Sequence, residues 1–215
     1  MGVKMRDREG TCCYLAVGLF ILLFSASWSV PALGGQFDDA IAAYERGDYA
    51  SAFRLMKPLA EKGDAKAQHN LGVMYDYGRG TPQDYTKALK WYRSAADHGI
   101  PEAQHNLGLM YYQGQGVPQN YSEAAKWYRR AAEQGMADSQ VNLGLMYYRG
   151  QGVPRNYVLA HMWLDLAASR YPASVREKLK DAVHYRDIVN SLMTSAQIAE
   201  AERLARKWKP KKEGK

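Results

Sequence analysis

Two histidines and three asparagines recur at one interval: His69 and His105, then Asn70, Asn106 and Asn142, each 36 residues from the next. A repeated imidazole is a candidate metal ligand or general base, and a repeated amide is a candidate hydrogen-bonding clamp because it carries both donors and an acceptor. For a metal the pattern supplies too little. The third copy of the histidine position is Val141, and further ligands would have to converge on one point. His98, His161 and His184 follow no spacing. The chain contains no H-E-x-x-H, no G-x-S-x-G and no S-x-x-K of the penicillin-binding kind. Gly78-Arg79-Gly80 and its copies lack the Gly-Lys-Ser/Thr that would cradle a phosphate, and their regular recurrence marks them as turns. Asn120-Tyr121-Ser122 matches a glycosylation acceptor but falls in the repeated turn. No catalytic residue, metal or cofactor is therefore expected.

The elements that carry these residues come from the same period. Segments beginning at Ala65, Pro101 and Ala137 align without a gap. Leu71, Leu107 and Leu143 coincide, as do Gly72, Gly108 and Gly144, then Tyr75, Tyr111 and Tyr147, and Trp91, Trp127 and Trp163. Ala67, Leu71, Met74 and Tyr75 stand at i, i+4, i+7 and i+8, the stripe of an amphipathic helix. Gly78 to Pro82 ends it, since glycine takes the left-handed conformation of a helix terminus and proline cannot extend the backbone ladder. A second helix spans about Tyr85 to Asp97, with Tyr85, Ala88, Leu89, Tyr92, Ala95 and Ala96 on one face, and Gly99 closes it. A glycine inside a helix costs about 1 kcal/mol against alanine. Its recurrence implies that helix axes approach closely there while tyrosine and tryptophan fill the neighbouring space.

The motifs A-x-x-x-L-G-x-M-Y, G-x-G-x-P and Y-x-x-A-x-x-W-Y with a closing A-A-x-x-G cover residues 65 to about 168. In these the chain resembles the Sel1-like repeat family, a relative of the tetratricopeptide repeat, from whose form the 36-residue period and the glycine-proline turn separate it. The resemblance implies an all-α fold, an α/α solenoid of Sel1-like, tetratricopeptide-like helical hairpins with C-terminal capping helices. The expected organisation is a leader over 1–32, a degenerate tetratricopeptide-like repeat over 37–63, Sel1-like repeats over 65–100, 101–136 and 137–170, capping helices over 172–208 and a basic tail over 209–215. The first unit has a helix near Phe37 to Arg46, a short Gly47-Asp48 turn, and Pro58 where it should kink or weaken the second helix. The capping helices are expected over about Ala173 to Leu192 and from Thr194 to Trp208, with Thr194 and Gln197 as a capping box.

In the tetratricopeptide relatives the first helices line a concave face that presents ligand contacts. Carried over position by position, that face comprises Lys66, His69, Asn70, Val73, Asp76 and Tyr77 in one unit. The next offers Glu102, His105, Asn106, Leu109, Tyr112 and Gln113, and the third Asp138, Val141, Asn142, Leu145, Tyr148 and Arg149. Two roles stand open for the asparagine column: a ladder that clamps the backbone of an extended peptide, or bonds within and between helices that hold the stack.

Charge and the N-terminus bear on location. The formal charge is +7, and much of the excess is terminal: Arg203, Arg206, Lys207, Lys209, Lys211, Lys212 and Lys215 face only Glu200, Glu202 and Glu213. A phosphate-gripping protein spreads basic residues over a face, so no nucleic-acid partner is expected. The tail is either simply solvated or makes a weak contact with an anionic surface such as a membrane. Lys4, Arg6 and Arg8 precede the apolar run Tyr14 to Phe24, and Val30 and Ala32 suit cleavage, the pattern of a signal peptide. Extending the run through Trp28 gives the alternative of a retained anchor. Cys12 and Cys13 lie within this leader, so the processed chain carries no cysteine for disulfides, thiolate sites or nucleophilic catalysis. The function implied is an exported, periplasmic or secreted, interaction scaffold that binds another protein or peptide. The alternatives are a hydrolase acting on cell wall or β-lactams, as suggested for some relatives, and a membrane-tethered envelope regulator.

Overall fold

The computed structural model describes residues 33–172 and 174–211. The leader over 1–32, and with it the choice between export and anchoring, lies outside the described residues, as do Cys12 and Cys13. Among the described residues ten helices form and no strand. Four hairpins follow one another: α1 (Leu33–Glu45) with α2 (Tyr49–Glu61), α3 (Ala65–Tyr77) with α4 (Tyr85–Asp97), α5 (Pro101–Gln113) with α6 (Tyr121–Glu133), and α7 (Ala137–Arg149) with α8 (Tyr157–Arg170). α9 (Arg176–Asn190) and α10 (Ser195–Lys207) both pack on α8 and close the array. Each second helix also packs on the next first helix, so the apolar face of one unit is covered by its neighbour. Among the described residues no helix is long and apolar enough to cross a membrane.

Caps set the helix ends. Asp84, Asn120 and Asn156 occupy one repeat position, and each side chain accepts a hydrogen bond from the backbone N–H three residues on. Such a cap contributes about 1 kcal/mol by satisfying a donor that the helix itself leaves open. Thr194 and Gln197 form the expected capping box. α1 begins earlier than its sequence suggests, because Gly34 and Gly35 read as unfavourable for helix yet are included. α2 continues only three residues past Pro58, so the N–H that proline lacks is lost close to the end. α9 starts at Arg176 rather than near Ala173, following the break at Tyr171-Pro172. α10 stops at Lys207 because Trp208 turns extended and lays its ring against Trp163, centroids 6.2 Å apart, beneath the Arg170 guanidinium.

Small residues bring the helices together. A Cβ placed on Gly72 or Gly108 would sit 2.6 Å and 2.8 Å from the buried rings of Tyr92 and Tyr128, and one on Gly144 would sit 2.9 Å from Leu164. Each mid-helix glycine is therefore the seat of a large side chain from its own hairpin. The second glycine of the turn makes a different contact. At Gly80, Gly116 and Gly152 φ is positive, and a Cβ would fall within 2.1–2.6 Å of the backbone of Tyr49, Tyr85 and Tyr121, the first residues of the preceding unit's second helix. The G-x-G turn is thus where one unit touches the helix start of the unit before it.

A buried glutamine column completes the joint. Gln68, Gln104 and Gln140 donate through Nε2 to the carbonyls of Ala60, Ala96 and Ala132 at 3.2, 3.2 and 3.1 Å, at the end of the preceding second helix. Tyr111 and Tyr147 receive hydrogen bonds from Arg93 and Arg129 of the preceding unit. The core forms two clusters of buried residues, and Tyr111 packs against both. At the far end Lys211 donates its backbone N–H to the Glu133 carbonyl at 2.8 Å and pairs its ammonium with the Glu133 carboxylate at 3.0 Å. The tail is therefore tied to α6 at least as far as Lys211, not simply solvated.

Candidate partner-binding face

α3, α5 and α7 each turn a leucine, a methionine and an alanine or serine inward, which leaves the proposed contact positions on the opposite side. The structure gathers many of them between α5 and α7. Leu109, Leu145 and Met146, with the rings of Tyr112 and Tyr128, line a pocket of about 130 Å³ whose rim carries Gln113, Asn142, Arg149 and Gln151. A second hollow of about 300 Å³ shares Asn142 and continues past His105, Val141 and Asp138 to Tyr171, Lys178 and Asp181. Asn142 lines both; the first, a groove between α5 and α7, reaches Gln113 and Arg149, and the second reaches Lys178 and Asp181 of α9.

Other candidates fall outside it. Lys66 and Glu102 are exposed, and Tyr77 is exposed beneath the Arg79 guanidinium, which also donates to the Tyr44 hydroxyl. Val73 packs partly into the core. Asp76 accepts the Tyr92 hydroxyl at 3.1 Å. Burial raises the Asp76 carboxyl above the ordinary carboxylate range, and this bond partly opposes it, while burial and the same carboxylate push the Tyr92 phenol well up. Tyr148 stacks at an angle on Tyr157, 6.2 Å between centroids.

The asparagine and histidine columns meet across units. The Asn106 amide nitrogen lies 3.2 Å from His69 Nε2, a bond that needs the neutral ring with its proton on Nδ1. His105 Nδ1 hydrogen-bonds Ser139 Oγ at 2.8 Å. The imidazoles of His69 and His105 also face the rings of Tyr92 and Tyr128 at 5.9 and 5.5 Å. For Asn106 the stack-holding role is the one the coordinates display, whereas Asn142 stands on the wall of the groove. Asp138 is also engaged: Tyr171 donates to it at 2.6 Å and Lys178 pairs with it at 2.8 Å. Burial alone would raise the Asp138 carboxyl, but Lys178 and Tyr171 more than offset it and hold it below the usual range.

Burial lowers the pKa of His69, His105 and His161 below the ordinary histidine value. Glu102 opposes this at His69 and Asp138 at His105, while Lys178 adds to it at His105. The sign of the pH dependence follows. As pH falls below about 6.5 the unfolded chain takes up protons that the native imidazoles refuse, so stability declines through that range. Thermal melts across the interval should show the decline, and His105→Gln should flatten part of it. A melt of this variant with the same pH slope as the parent would contradict the assignment.

A hollow of about 500 Å³ lies elsewhere, among α8, α9 and α10. His161, Asp165, Arg186, Asp187, Glu202 and Arg206 line it, but Arg186 pairs with Asp165 and Asp187 and Arg206 pairs with Glu202. Among the described residues no group of three or more His, Cys, Asp or Glu side chains is placed to hold a metal ion. Several groove residues escaped sequence reasoning. Met146 and Tyr128 are the copies of Met74 and Tyr92 on the apolar stripes, and Gln151 is the copy of Arg79 in the turn. Tyr171 directly follows α8 and Lys178 lies on α9, and neither has a periodic copy that points to it.

The geometry matches what comparison with known proteins finds. The family model described as Sel1 repeat matches residues 36–64, 65–100, 101–136 and 137–171, so the first unit, for all its short turn, is matched with the others. Among solved structures, c5321, a protective antigen present in uropathogenic Escherichia coli strains displaying an SLR fold, is 36% identical with a TM-score of 0.72, over 82% of this chain and 37% of that one. A Sel1 repeat protein from Oxalobacter formigenes is 28% identical with a TM-score of 0.62, over 79% of this chain and 74% of that one. DAP3-binding cell death enhancer 1 of Rattus norvegicus is 47% identical over 38 residues, and its Mus musculus counterpart matches to the same extent. That similarity takes in 18% of this chain and only 8% of those proteins. Four tandem matches that together take in more than half of the residues, on a fold of stacked helical hairpins, make this chain a member of the Sel1 repeat family.

Proposed function

We propose that this protein is an exported interaction scaffold that binds a partner protein or peptide along the face shared by α3, α5 and α7. Proteins built from Sel1 repeats generally mediate protein–protein interaction and are typically not enzymes. The observation that carries the placement is the groove between α5 and α7, with its aliphatic floor at Leu109, Leu145 and Met146 and its polar rim. A concave apolar strip edged by hydrogen-bonding groups suits an extended chain, whose side chains enter the floor while its amides meet the rim. Export rests on the leader pattern over 1–32, and N-terminal sequencing of the cell-envelope form should begin near Leu33. A retained leader would instead support the tethered regulator.

The face is tested by comparing two charge insertions. Leu145→Glu places a carboxylate in the aliphatic floor and should weaken partner binding at least tenfold, a change of about 1.4 kcal/mol. Lys90→Glu, on the exposed side of α4, should leave binding unchanged. Circular dichroism melts keep the comparison honest about folding, because Leu145 is only half-buried and its replacement should not unfold the chain. Equal binding by the two variants would remove the groove from consideration.

A further inference from the structure

The groove has a chemical bias of its own. Arg149 stands exposed at the last turn of α7, on the rim of the 130 Å³ pocket, and among the described residues it has no ion-pair or hydrogen-bond partner. No carboxylate lines that pocket, and Asp138, in the adjoining hollow, is already held by Lys178 and Tyr171. The remaining rim groups are the amides of Gln113, Asn142 and Gln151, with Gln151 accepting the Tyr112 hydroxyl at 3.4 Å. The position itself is individual: its copies in the two preceding units are Tyr77 and Gln113, so the cation belongs to this joint and not to the repeat.

Resting on the reading of this face as the binding surface, we infer that the α5–α7 groove recognises an extended peptide segment in which a leucine, isoleucine or methionine lies one or two residues from an aspartate or glutamate side chain. Volume sets the first half of this preference. An apolar cavity of about 150 Å³ takes a benzene-sized ligand, so the slightly smaller pocket here holds one aliphatic side chain and turns away tryptophan. Charge sets the second half. A guanidinium without a partner, beside a desolvated floor, gains most from a carboxylate that it can meet with two parallel hydrogen bonds. Spacing links them, because an extended chain rises about 3.3 Å per residue and the pocket and Arg149 share one lining. The amides bind the peptide backbone and leave sequence choice to the other two groups.

Selection from random heptapeptides displayed on phage tests this. One library fuses each peptide through its C-terminus, so that only side-chain carboxylates are available, and a second presents free C-termini. Against the purified chain, the first library should enrich an aliphatic residue within two positions of Asp or Glu, with tryptophan depleted. Synthetic peptides of that consensus should bind Arg149→Ala about tenfold more weakly, the effect of losing a charge-assisted hydrogen bond. Arg149→Glu should select Lys or Arg beside the same aliphatic residue. Leu145→Trp, which fills the pocket, should abolish the aliphatic preference but keep some acidic enrichment.

A consensus without the acidic residue, but still lost in Leu145→Trp, overturns the inference and leaves the binding face standing. Enrichment confined to free C-termini overturns the side-chain assignment. Peptides whose selection neither variant alters, or no enrichment at all, overturn both the inference and the face.

Discussion

Replacing Tyr128 with alanine should cost the fold about 3–5 kcal/mol, the range for deleting a fully buried aromatic side chain. Tyr128 is 1% exposed, its ring fills the seat left by Gly108, and it faces His105. For a chain of this length each kcal/mol moves the melting temperature by about 2–4 °C, so the midpoint should fall by roughly 6–20 °C. A second substitution makes the prediction specific. Gly108→Ala alone should destabilise, because its new methyl group would lie 2.8 Å from the Tyr128 ring, and overpacking of a close-packed core costs about 1–3 kcal/mol. In the Tyr128→Ala background the same change should stabilise, since the methyl group enters the vacated space and alanine favours helix by about 1 kcal/mol over glycine. The sign reversal is the signature of direct contact. Additive effects would mean that the glycine is in α5 for some other reason.

Gly152→Ala should cost about 3 kcal/mol, and Gly150→Ala only about 1–2. Both glycines have positive φ, +68° and +69°, where a Cβ strains the backbone by roughly 1–2 kcal/mol. They differ in what lies beyond. A Cβ at Gly150 meets Arg155 Cβ at 3.3 Å, a contact that a shift of a few tenths of an ångström relieves. At Gly152 it would stand 2.3 Å from the carbonyl of Tyr121, held in the first turn of α6. The extra loss at Gly152 therefore measures the joint between the third and fourth hairpins, read by chemical denaturation of the two variants side by side. Equal losses would show that the turn owes its second glycine to backbone conformation alone.

Much of this architecture was legible because it is periodic. The second helix from about Tyr85 to Asp97, and the end of the first helix at Gly78, follow from glycine, proline and the apolar stripe, and the observed elements match them. Family resemblance then named the face, and the coordinates bring Leu109, Tyr112, Gln113, Asn142, Leu145 and Arg149 to one pocket. What the sequence hid was contact at long separation. Lys211 reaches Glu133 across 78 positions, and Lys178 reaches Asp138 across 40. Neither pair has a periodic copy, so no self-comparison could suggest it. The glutamine column was a different kind of omission. Gln68, Gln104 and Gln140 share the period, but glutamine is ordinarily a surface residue, and only the structure places these amides against the preceding helix ends. The asparagines show the limit most clearly. An amide serves a partner or a neighbouring helix equally well, and at Asn106 the 3.2 Å approach of His69 Nε2 decides for the neighbour.

The proposed binding requires a partner to meet the first-helix side of the stack. The most direct measurement is photo-crosslinking with p-benzoylphenylalanine placed singly at Gln113, Arg149, Lys90 and Lys126 in cells that make the protein. All four positions are exposed, the first two beside the groove and the last two on second helices. Adducts of one size from Gln113 and Arg149, and none from Lys90 and Lys126, are the predicted result. Adducts from Lys90 and Lys126 alone would contradict it and move the binding surface to the other side of the solenoid.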